Sequence, residues 1–404
     1  MKNAMNGKSE QITRDAATPC GVVIPGLDIK KAKRYSRARL AALALSTAAT
    51  LAETAWFAFS GKSHDLRKAT RALTPGRALD TATYAAGVVG GTWLAGLPVG
   101  YVGGYRIERR FGLTKQSSSG WLADRLKGFG LELVMEPALV AATFAVIRRR
   151  PRDWWLVLSG AAIPLAVVLG NLAPVLIMPL FNRFEPLNDP ELEHRIRALG
   201  ERAGVHIADI YRMDMSRQTE KANAFFTGLG NTKRIVLGDT LLNGSTPEEI
   251  EAVVAHELGH QVHGDMWRFV ASGSLSVLAI TYGLSRIAPW AIARTSALTG
   301  VTSLKDEASL PVLGLVAGLI GAVVGPLNAA YSRNIEGRTD QFALDLTQNG
   351  PVYARMMERL AAQNLSDPCP PKLLVWLMYS HPPTVDRIAR ARNFQPNGVD
   401  LATN

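Results

Sequence analysis

Six long apolar segments limit what this chain can fold into. Each is close to the roughly 20 residues of helix needed to cross a bilayer, and each carries few charges. They lie at about residues 40–60, 81–104, 130–147, 154–180, 267–290 and 310–331. Hydrophobic residues, 47% of the 404, are concentrated in these segments. The sequence therefore predicts a mainly α-helical, polytopic membrane bundle of about six spans.

The net charge of +11 fits either a nucleic-acid partner or a membrane surface. The basic residues cluster beside the apolar segments, at 30–39 and 148–152, and aromatic residues do not alternate with them as in surfaces that read bases. We therefore expect a lipid bilayer as a partner and no nucleic acid. Cys20 and Cys369 are too few for a cysteine-rich zinc site.

The apolar segments alternate with polar regions of different character. In chain order we predict a polar and basic tail at 1–39, four transmembrane helices at 40–181 with a basic loop at 105–129, the first part of a catalytic domain at 182–265, two transmembrane helices at 266–331, the second part of that domain at 332–394 and a C-terminal tail at 395–404. The basic loop is predicted to hold short amphipathic helices.

The first polar region has the pattern of a small α+β domain. Asp189-Pro190-Glu191 predicts the start of an amphipathic helix that ends by Gly204. Three strand candidates follow, at 207–213, 223–227 and 234–237. Such a sheet either presents an edge to an extended peptide or simply packs on the next helix.

The segment 255–260 reads Ala-His-Glu-Leu-Gly-His, and residues 246–249 before it carry the signals of a helix start. On that helix His256 and His260 lie on one face, one turn apart, where both can bind one zinc ion. Glu257 lies beside them, where it can take a proton from bound water and pass it to a leaving amine. The segment therefore predicts a zinc hydrolase.

A tetrahedral zinc site needs a third protein ligand, and Glu336 is the preferred candidate. Asp340, four residues on, shares its helix face and could accept the free ring N–H of a zinc-bound histidine. His263 is the alternative ligand. It lies about 10 Å from His256 along a helix that rises about 1.5 Å per residue, too far to share a metal. We expect His263 to cap the end of its helix.

His381 stands before Pro382 and Pro383, which would fix the backbone and aim the ring at the oxyanion of a tetrahedral intermediate. The ordinary alternative is that His381 is a turn residue without a catalytic role. Arg387 could hold a carboxylate or orient this segment, and an ordinary surface arginine is the alternative.

Further motifs accompany the zinc segment in a fixed order. They are Phe111-Gly112-Leu113-Thr114, Pro179-Leu180-Phe181-Asn182, Asn223-Ala224-Phe225-Phe226-Thr227-Gly228, Glu336 with Asp340, and Asn364-Leu365-Ser366-Asp367-Pro368 leading to His381-Pro382-Pro383. Together they resemble the type I CAAX prenyl protease family, integral-membrane zinc metallopeptidases that cleave prenylated peptides near the C-terminus. The resemblance extends over roughly residues 100–390.

The resemblance implies a ring of transmembrane helices around a water-filled chamber, with a zincin-type α+β catalytic domain at one end. It implies one zinc ion per chain, bound by His256, His260 and Glu336. It also implies that Glu257 is the general base and that Asp340 contacts the zinc ligands without binding zinc itself.

The same resemblance implies that Asn223 and Ala224 lie where the substrate strand docks. His381 and Arg387 would border the active site. The expected substrate is a peptide or protein that is lipidated or otherwise membrane-associated.

Two departures from the family pattern bear on substrate and location. Six spans are fewer than the eukaryotic members have, and Thr339 stands where the family usually has alanine. The reduced N-terminal region resembles bacterial members, so we predict a multi-pass protein of a bacterial inner membrane. Bacteria generally lack prenylated substrates, so another membrane-associated peptide is the alternative substrate.

The distribution of basic residues predicts the membrane orientation. An even number of spans separates the N-terminal arm from the zinc segment, so both lie on one side. The arm and the basic loop are rich in Lys and Arg, which places that side in the cytoplasm. The cluster at 148–152 then faces outward, against the same rule.

Two other functions fit part of the pattern. A membrane quality-control protease of the heat-shock type shares the two histidines and the downstream glutamate, but the tract from 364 to 383 favours the prenyl protease family. A non-catalytic scaffold with a structural zinc site does not require a base beside the metal, and Glu257 is present. The leading prediction is a zinc metalloendopeptidase.

Overall fold

The computed structural model describes residues 21, 23–74, 76–228 and 233–396, and helices dominate this part of the chain. Residues 1–20 of the predicted N-terminal tail and 397–404 of the C-terminal tail lie outside it. In chain order the helices are α1 (Ile29–Phe59), α2 (Lys62–Leu73), α3 (Ala78–Phe111), α4 (Ser118–Arg149), α5 (Trp154–Leu180), α6 (Pro190–Arg202), α7 (Asp239–Leu242), α8 (Pro247–Val262), α9 (Asp265–Thr299), α10 (Leu310–Thr347), α11 (Gly350–Gln363), α12 (Lys372–Met378) and α13 (Thr384–Arg392).

Among the described residues, six helices are long and apolar enough to cross a membrane: α1, α3, α4, α5, α9 and α10. The predicted number of spans is confirmed. Large apolar side chains on these helices, such as Leu94, Leu275 and Leu319, are exposed. Lipid solvates such side chains, while the helices satisfy their own backbone hydrogen bonds.

The prediction of a basic loop with short amphipathic helices at 105–129 is wrong. Helix α3 continues through a π-helical turn to Phe111, and α4 begins at Ser118, so only 112–117 lie between them. Gly112 ends α3 in a left-handed conformation, with φ 78°. Ser117 caps α4 by accepting from the Gly120 N–H. Charged residues mark where the membrane ends, whereas the helices extend beyond it.

Helix α1 likewise begins inside the predicted tail. Its N-cap is Asp28, whose carboxylate accepts from the Lys31 N–H, so the basic residues 30–39 are helical. The short helix α2 was not predicted. It is fixed by Arg67, whose guanidinium lies 3.0 Å from Oε2 of buried Glu307, and Arg148 of α4 also contacts Glu307.

The described strands form one small sheet in the order β1-β2-β4-β3. They are β1 (Phe184–Pro186), β2 (Asp209–Met213), β3 (Ala224–Thr227) and β4 (Arg234–Gly238). Strands β2 and β4 are parallel, and the other pairs are antiparallel. The three predicted strands are confirmed with shifted ends, whereas β1 is too short to show an alternating pattern. Among the described strands β3 pairs only with β4, so it is an edge strand.

Helices α8 and α10 approach closely, which brings the two parts of the predicted catalytic domain together. A Cβ atom at Gly259 would lie 2.9 Å from Cγ2 of Thr339 and 3.0 Å from the Phe342 ring. Leu258 and Ile335 are fully buried beside this contact. The glycine of the zinc segment therefore lets the face of α8 that carries the histidines pack against α10.

Candidate active site

The helix that carries the two histidines starts as predicted. Thr246 accepts from the Glu249 N–H, and the Glu249 carboxylate accepts from the Thr246 N–H, which completes a capping box ahead of Pro247. One turn apart on α8, the rings of His256 and His260 have centroids 5.0 Å apart and planes at 89°. Both rings also approach the same neighbouring side chain.

That neighbour is Glu336 of α10. Nε2 of His256 lies 3.2 Å from Oε2 of Glu336, and Nε2 of His260 lies 3.6 Å from Oε1. Ligand atoms of the three residues all lie within 4.8 Å of one another. Oε2 of Glu336 is buried and, although Nε2 of His256 lies close to it, accepts no hydrogen bond of good geometry from the described residues. Two imidazoles and an unsatisfied carboxylate oxygen are donors that suit zinc.

The rival ligand His263 does not join this group. It is the C-cap of α8, as expected, and its ring packs edge-on against Phe342 at 5.5 Å.

Asp340 fixes the ring of His256 through Nδ1, the ring nitrogen that does not face Glu336. Its Oδ1 lies 3.1 Å from Nδ1 of His256 and accepts from the Tyr353 hydroxyl at 2.6 Å. Arg387 donates to both carboxylate oxygens, from Nε at 2.8 Å and from Nη2 at 2.5 Å. Burial and the charge of Asp340 raise the pKa of Tyr353, so its hydroxyl stays protonated and donates. The structure thus places Arg387 on a carboxylate, one of the two roles considered for it.

His260 has a corresponding partner that the sequence did not reveal. Its Nδ1 lies 3.0 Å from Oδ2 of Asp265, the first residue of α9. Arg338 and Arg268 lie 3.5 and 3.6 Å from the other oxygen, Oδ1. The signal was an aspartate five residues after the second histidine, across Gly264, whose φ of 64° turns the chain back toward the site.

Glu257 lies within the electrostatic reach of all three candidate ligands. Burial raises the pKa of its carboxyl above the ordinary value, and the charge of Glu336 raises it further, while the two histidines lower it. A carboxylate with a raised pKa is a better proton acceptor at neutral pH.

His381 reaches the same carboxylate as the two histidines of α8. Its Nε2 lies 3.3 Å from Oε1 of Glu336, and its Nδ1 lies 2.8 Å from the Ser380 hydroxyl. If that hydroxyl donates to Nδ1, the proton of the neutral ring is on Nε2, the atom that faces Glu336.

A cavity of about 670 Å³ opens beside this group. It is bounded by His381 and Arg387, by the start of α1 and by α12. Pockets of roughly 300–1,000 Å³ are typical of sites that bind small ligands.

The predicted docking residues lie at the start of the edge strand. Ala224 pairs with Leu237 of β4, and the carbonyl of Asn223 accepts from the Gly238 N–H at 3.0 Å. The residue before them is held by a side chain: Oδ1 of Asn364 accepts from the Ala222 N–H at 3.0 Å. The segment beginning at Asn364 therefore has a definite role in positioning the edge strand.

The turn 111–114 also supports the approach to β3. Thr114 donates to the Gln218 carbonyl at 2.7 Å, and the Leu113 carbonyl accepts from the Glu220 N–H at 2.9 Å. Nearby, Glu108 of α3 lies 2.9 Å from Nζ of Lys221. Membrane helices and edge strand are thus joined directly, a tertiary role that composition does not indicate.

Comparison with known proteins identifies the family. Residues 186–395, more than half of the chain, match the description "Peptidase family M48". The chain belongs to this family. Residues 16–183 match "CAAX prenyl protease N-terminal, five membrane helices". In the described part of that range this M48 protein has four long apolar helices and the short α2.

Relatives of this M48 protein cover most of its length. It is 31% identical over 341 residues to an uncharacterized metalloprotease of Bacillus subtilis, covering 83% of this chain and 80% of that protein. It is 30% identical over 320 residues to a CAAX prenyl protease 1 homolog of Arabidopsis thaliana, covering 77% and 73%. The predicted family is therefore confirmed, and the scaffold and heat-shock alternatives are not favoured.

The crystal structure of Saccharomyces mikatae Ste24p has the same fold. The TM-score is 0.83 at 24% identity, and the match covers 95% of this chain and 94% of that chain. The predicted fold, a helical membrane bundle enclosing a chamber with a small-sheet catalytic domain, is confirmed. The protein is a multi-pass integral-membrane metalloprotease whose substrates are peptides or proteins.

Proposed function

We propose that this protein is a zinc-dependent endopeptidase that cleaves membrane-associated peptides at the site formed by α8 and α10. One observation carries the proposal. Nε2 of His256 and Nε2 of His260 converge on the carboxylate of Glu336, while both Nδ1 atoms are already engaged by aspartates. That arrangement brings three potential ligand atoms within 4.8 Å of one another, with both Nε2 atoms free to bind a metal.

In this proposal His256, His260 and Glu336 hold one zinc ion per chain. Bound zinc would polarise the scissile carbonyl and lower the pKa of a water molecule. The buried carboxylate of Glu336 faces Nε2 of His256 with Oε2 and Nε2 of His260 with Oε1, which supports its role as the third ligand.

Glu257 and His381 supply the proton chemistry in this proposal. Glu257 accepts a proton from the attacking water and delivers it to the leaving amine. His381 donates from Nε2 to the oxyanion that forms on the scissile carbonyl. Ser380, donating to Nδ1, would keep the required tautomer.

The substrate is proposed to bind as an extended strand alongside β3, with Asn223 and Ala224 nearest the cleavage point. An edge strand offers unpaired backbone groups, which bind a peptide largely irrespective of its side chains. Arg387 acts by holding Asp340 and borders the cavity.

We propose a bacterial inner membrane with the catalytic domain on the cytoplasmic side, and substrates anchored there by a lipid group or by their own apolar segment. The basic residues of 30–39 support this orientation. Nucleic acid is not expected to bind.

Cleavage of a farnesylated CAAX-type peptide and its unprenylated twin by detergent-purified protein tests the function. The native protein should contain one zinc per chain and cleave at least one peptide. Glu257→Gln should retain zinc but lose about 10²–10⁴-fold in kcat. His381→Ala should retain zinc and lose about 10²–10³-fold in kcat.

The ratio between the two peptides reports whether the lipid group is recognised. A Glu257→Gln protein that cleaves at the native rate, or an active native protein without zinc, would sink the proposed mechanism.

A further inference from the structure

Helix α12 exposes apolar side chains although it belongs to the catalytic domain. Its sequence is Lys-Leu-Leu-Val-Trp-Leu-Met, and none of its seven residues, all of them described, is buried. Leu373 is 65% exposed and Trp376 is 54% exposed. The next helix, α13, differs, because its exposed positions are mostly charged.

Contacts with α10 place α12 at the depth where the sixth span ends. Nη1 of Arg333 donates to the carbonyls of Val375 and Tyr379, at 2.8 and 2.7 Å. Arg333 comes two residues after Tyr331, where the apolar segment of α10 stops. Helix α12 therefore lies beside the point where α10 leaves the membrane.

The first span gives the same depth independently. Leu374 and Met378 of α12 line the 670 Å³ cavity together with Leu40 and Leu43 of α1. Leu40 is the first residue of the apolar segment of α1 and follows the basic residues 30–39. The start of the apolar segment of α1 and the end of the apolar segment of α10 thus both place α12 at the membrane boundary.

The side chains of α12 divide between two faces. Leu374 and Met378, four residues apart, share the face that lines the cavity. Leu373 and Trp376, three residues apart, share a different face and are the most exposed apolar residues of α12. The helix therefore has one apolar face toward the active-site cavity and another directed away from it.

We propose that the outer face of α12, Leu373 with Trp376, is embedded in the phospholipid interface of the bilayer, so that α12 forms the wall between lipid and active-site cavity. Tryptophan is enriched at this interfacial depth, and long lysine side chains extend to it from helix ends, as Lys372 at the start of α12 can. An amphipathic helix lying in the interface buries its apolar face about 5–10 Å deep.

An environment-sensitive fluorophore tests the contact directly. Leu373→Cys and Trp376→Cys variants are labelled and placed in phospholipid nanodiscs that contain lipids with a nitroxide quencher near the headgroup or deep in the acyl chain. Glu191→Cys, an exposed position in α6, is the matched control, and the unsubstituted protein gives the labelling background.

Labels at 373 and 376 should be quenched strongly by the shallow nitroxide, less by the deep one, and well beyond the label at 191. Quenching equal to that at 191 overturns the proposal. A dry environment without lipid quenching, as when a second copy of the chain covers this face, also overturns it.

One functional consequence rests on the proposed peptidase activity. If substrates reach the cavity across α12, Trp376→Glu should lower kcat/KM for a bilayer-anchored peptide by roughly tenfold or more, because a charge replaces a side chain held in the interface. The same variant should cleave the unanchored peptide in detergent at the native rate. An equal loss on both peptides contradicts this entry route, whereas cleavage of neither by native protein rejects the peptidase proposal and leaves the quenching result standing.

Discussion

Nδ1 of His260 lies 3.0 Å from Oδ2 of Asp265, just as Nδ1 of His256 lies 3.1 Å from Oδ1 of Asp340. Each of the two candidate histidine ligands is therefore oriented by a buried aspartate, and the two aspartates come from different helices, α9 and α10. A carboxylate on the free nitrogen fixes the imidazole tautomer and raises its basicity as a ligand. Asp265 is fully buried, and Nη2 of Arg338 lies 3.5 Å from its Oδ1.

Replacing Asp265 by a residue of the same shape should therefore weaken zinc binding while the protein still folds. Asp265→Asn keeps the shape but removes the charge, and zinc affinity should fall by about 10–100-fold. Competition with a fluorescent chelator measures this without reference to activity. Asp345→Asn is the control, since Asp345 is bonded by Gln341 on an exposed part of the same helix as Glu336. Equal affinities in the two variants would contradict the role of Asp265.

Arg387 should matter for stability more than its exposed neighbour. Asp340 is 1% exposed, so Arg387→Ala leaves a buried carboxylate without its main counter-ion, which typically costs about 3–5 kcal/mol. Arg390→Ala removes a guanidinium that lies 3.8 Å from Asp340 but is 40% exposed, a change worth about 0–1 kcal/mol. Unfolding midpoints in detergent should separate the variants widely. Similar midpoints would show that Asp340 does not depend on Arg387.

The sequence predicts those parts of the fold and site that depend on the local spacing of residues along the chain. Helical spacing placed His256 and His260 on one face, and apolar length located the six spans. The third candidate ligand, Glu336, some 80 residues away, is predicted from its place after a span and from the family resemblance. Each of these features is a repeat or a motif that can be read without knowing tertiary contacts.

What the sequence did not reveal depends on packing between distant elements. Asp265 reaches His260 only because Gly264 reverses the chain, and Asn364 meets Ala222 across 142 positions of sequence. The helix ends at Ile29 and Phe111 were missed for another reason. Hydropathy reports where lipid stops, and these helices continue into water with charged side chains.

Gly259 should not tolerate a methyl group. A Cβ there would lie 2.9 Å from Thr339 Cγ2, at the contact that sets the distance between α8 and α10, so Gly259→Ala should destabilise by about 1–3 kcal/mol. Gly337→Ala is the matched control, because its Cβ would meet only the flexible end of Arg390 at 3.5 Å. That change should be neutral or stabilising by up to about 1 kcal/mol through helix propensity. Denaturant midpoints that coincide for the two variants would refute the tight contact.

Asn364 should act on substrate binding rather than on the metal. Its Oδ1 accepts from the Ala222 N–H at 3.0 Å, and its Nδ2 lies 3.4 Å from the Ala222 carbonyl, so the side chain fixes the backbone that leads into β3. Asn364→Ala leaves that N–H unpaired and lets the edge strand move, so KM for peptides should rise by about tenfold.

Asn364→Asp retains the acceptor at the shorter contact and should restore much of the loss, whereas zinc affinity should be native in both variants. Steady-state kinetics on peptides of increasing length provide the measurement, since a longer peptide forms more backbone pairs with β3 and should show a larger penalty. A fall in kcat at unchanged KM, or a loss of zinc, would place Asn364 with the metal site instead of with the edge strand.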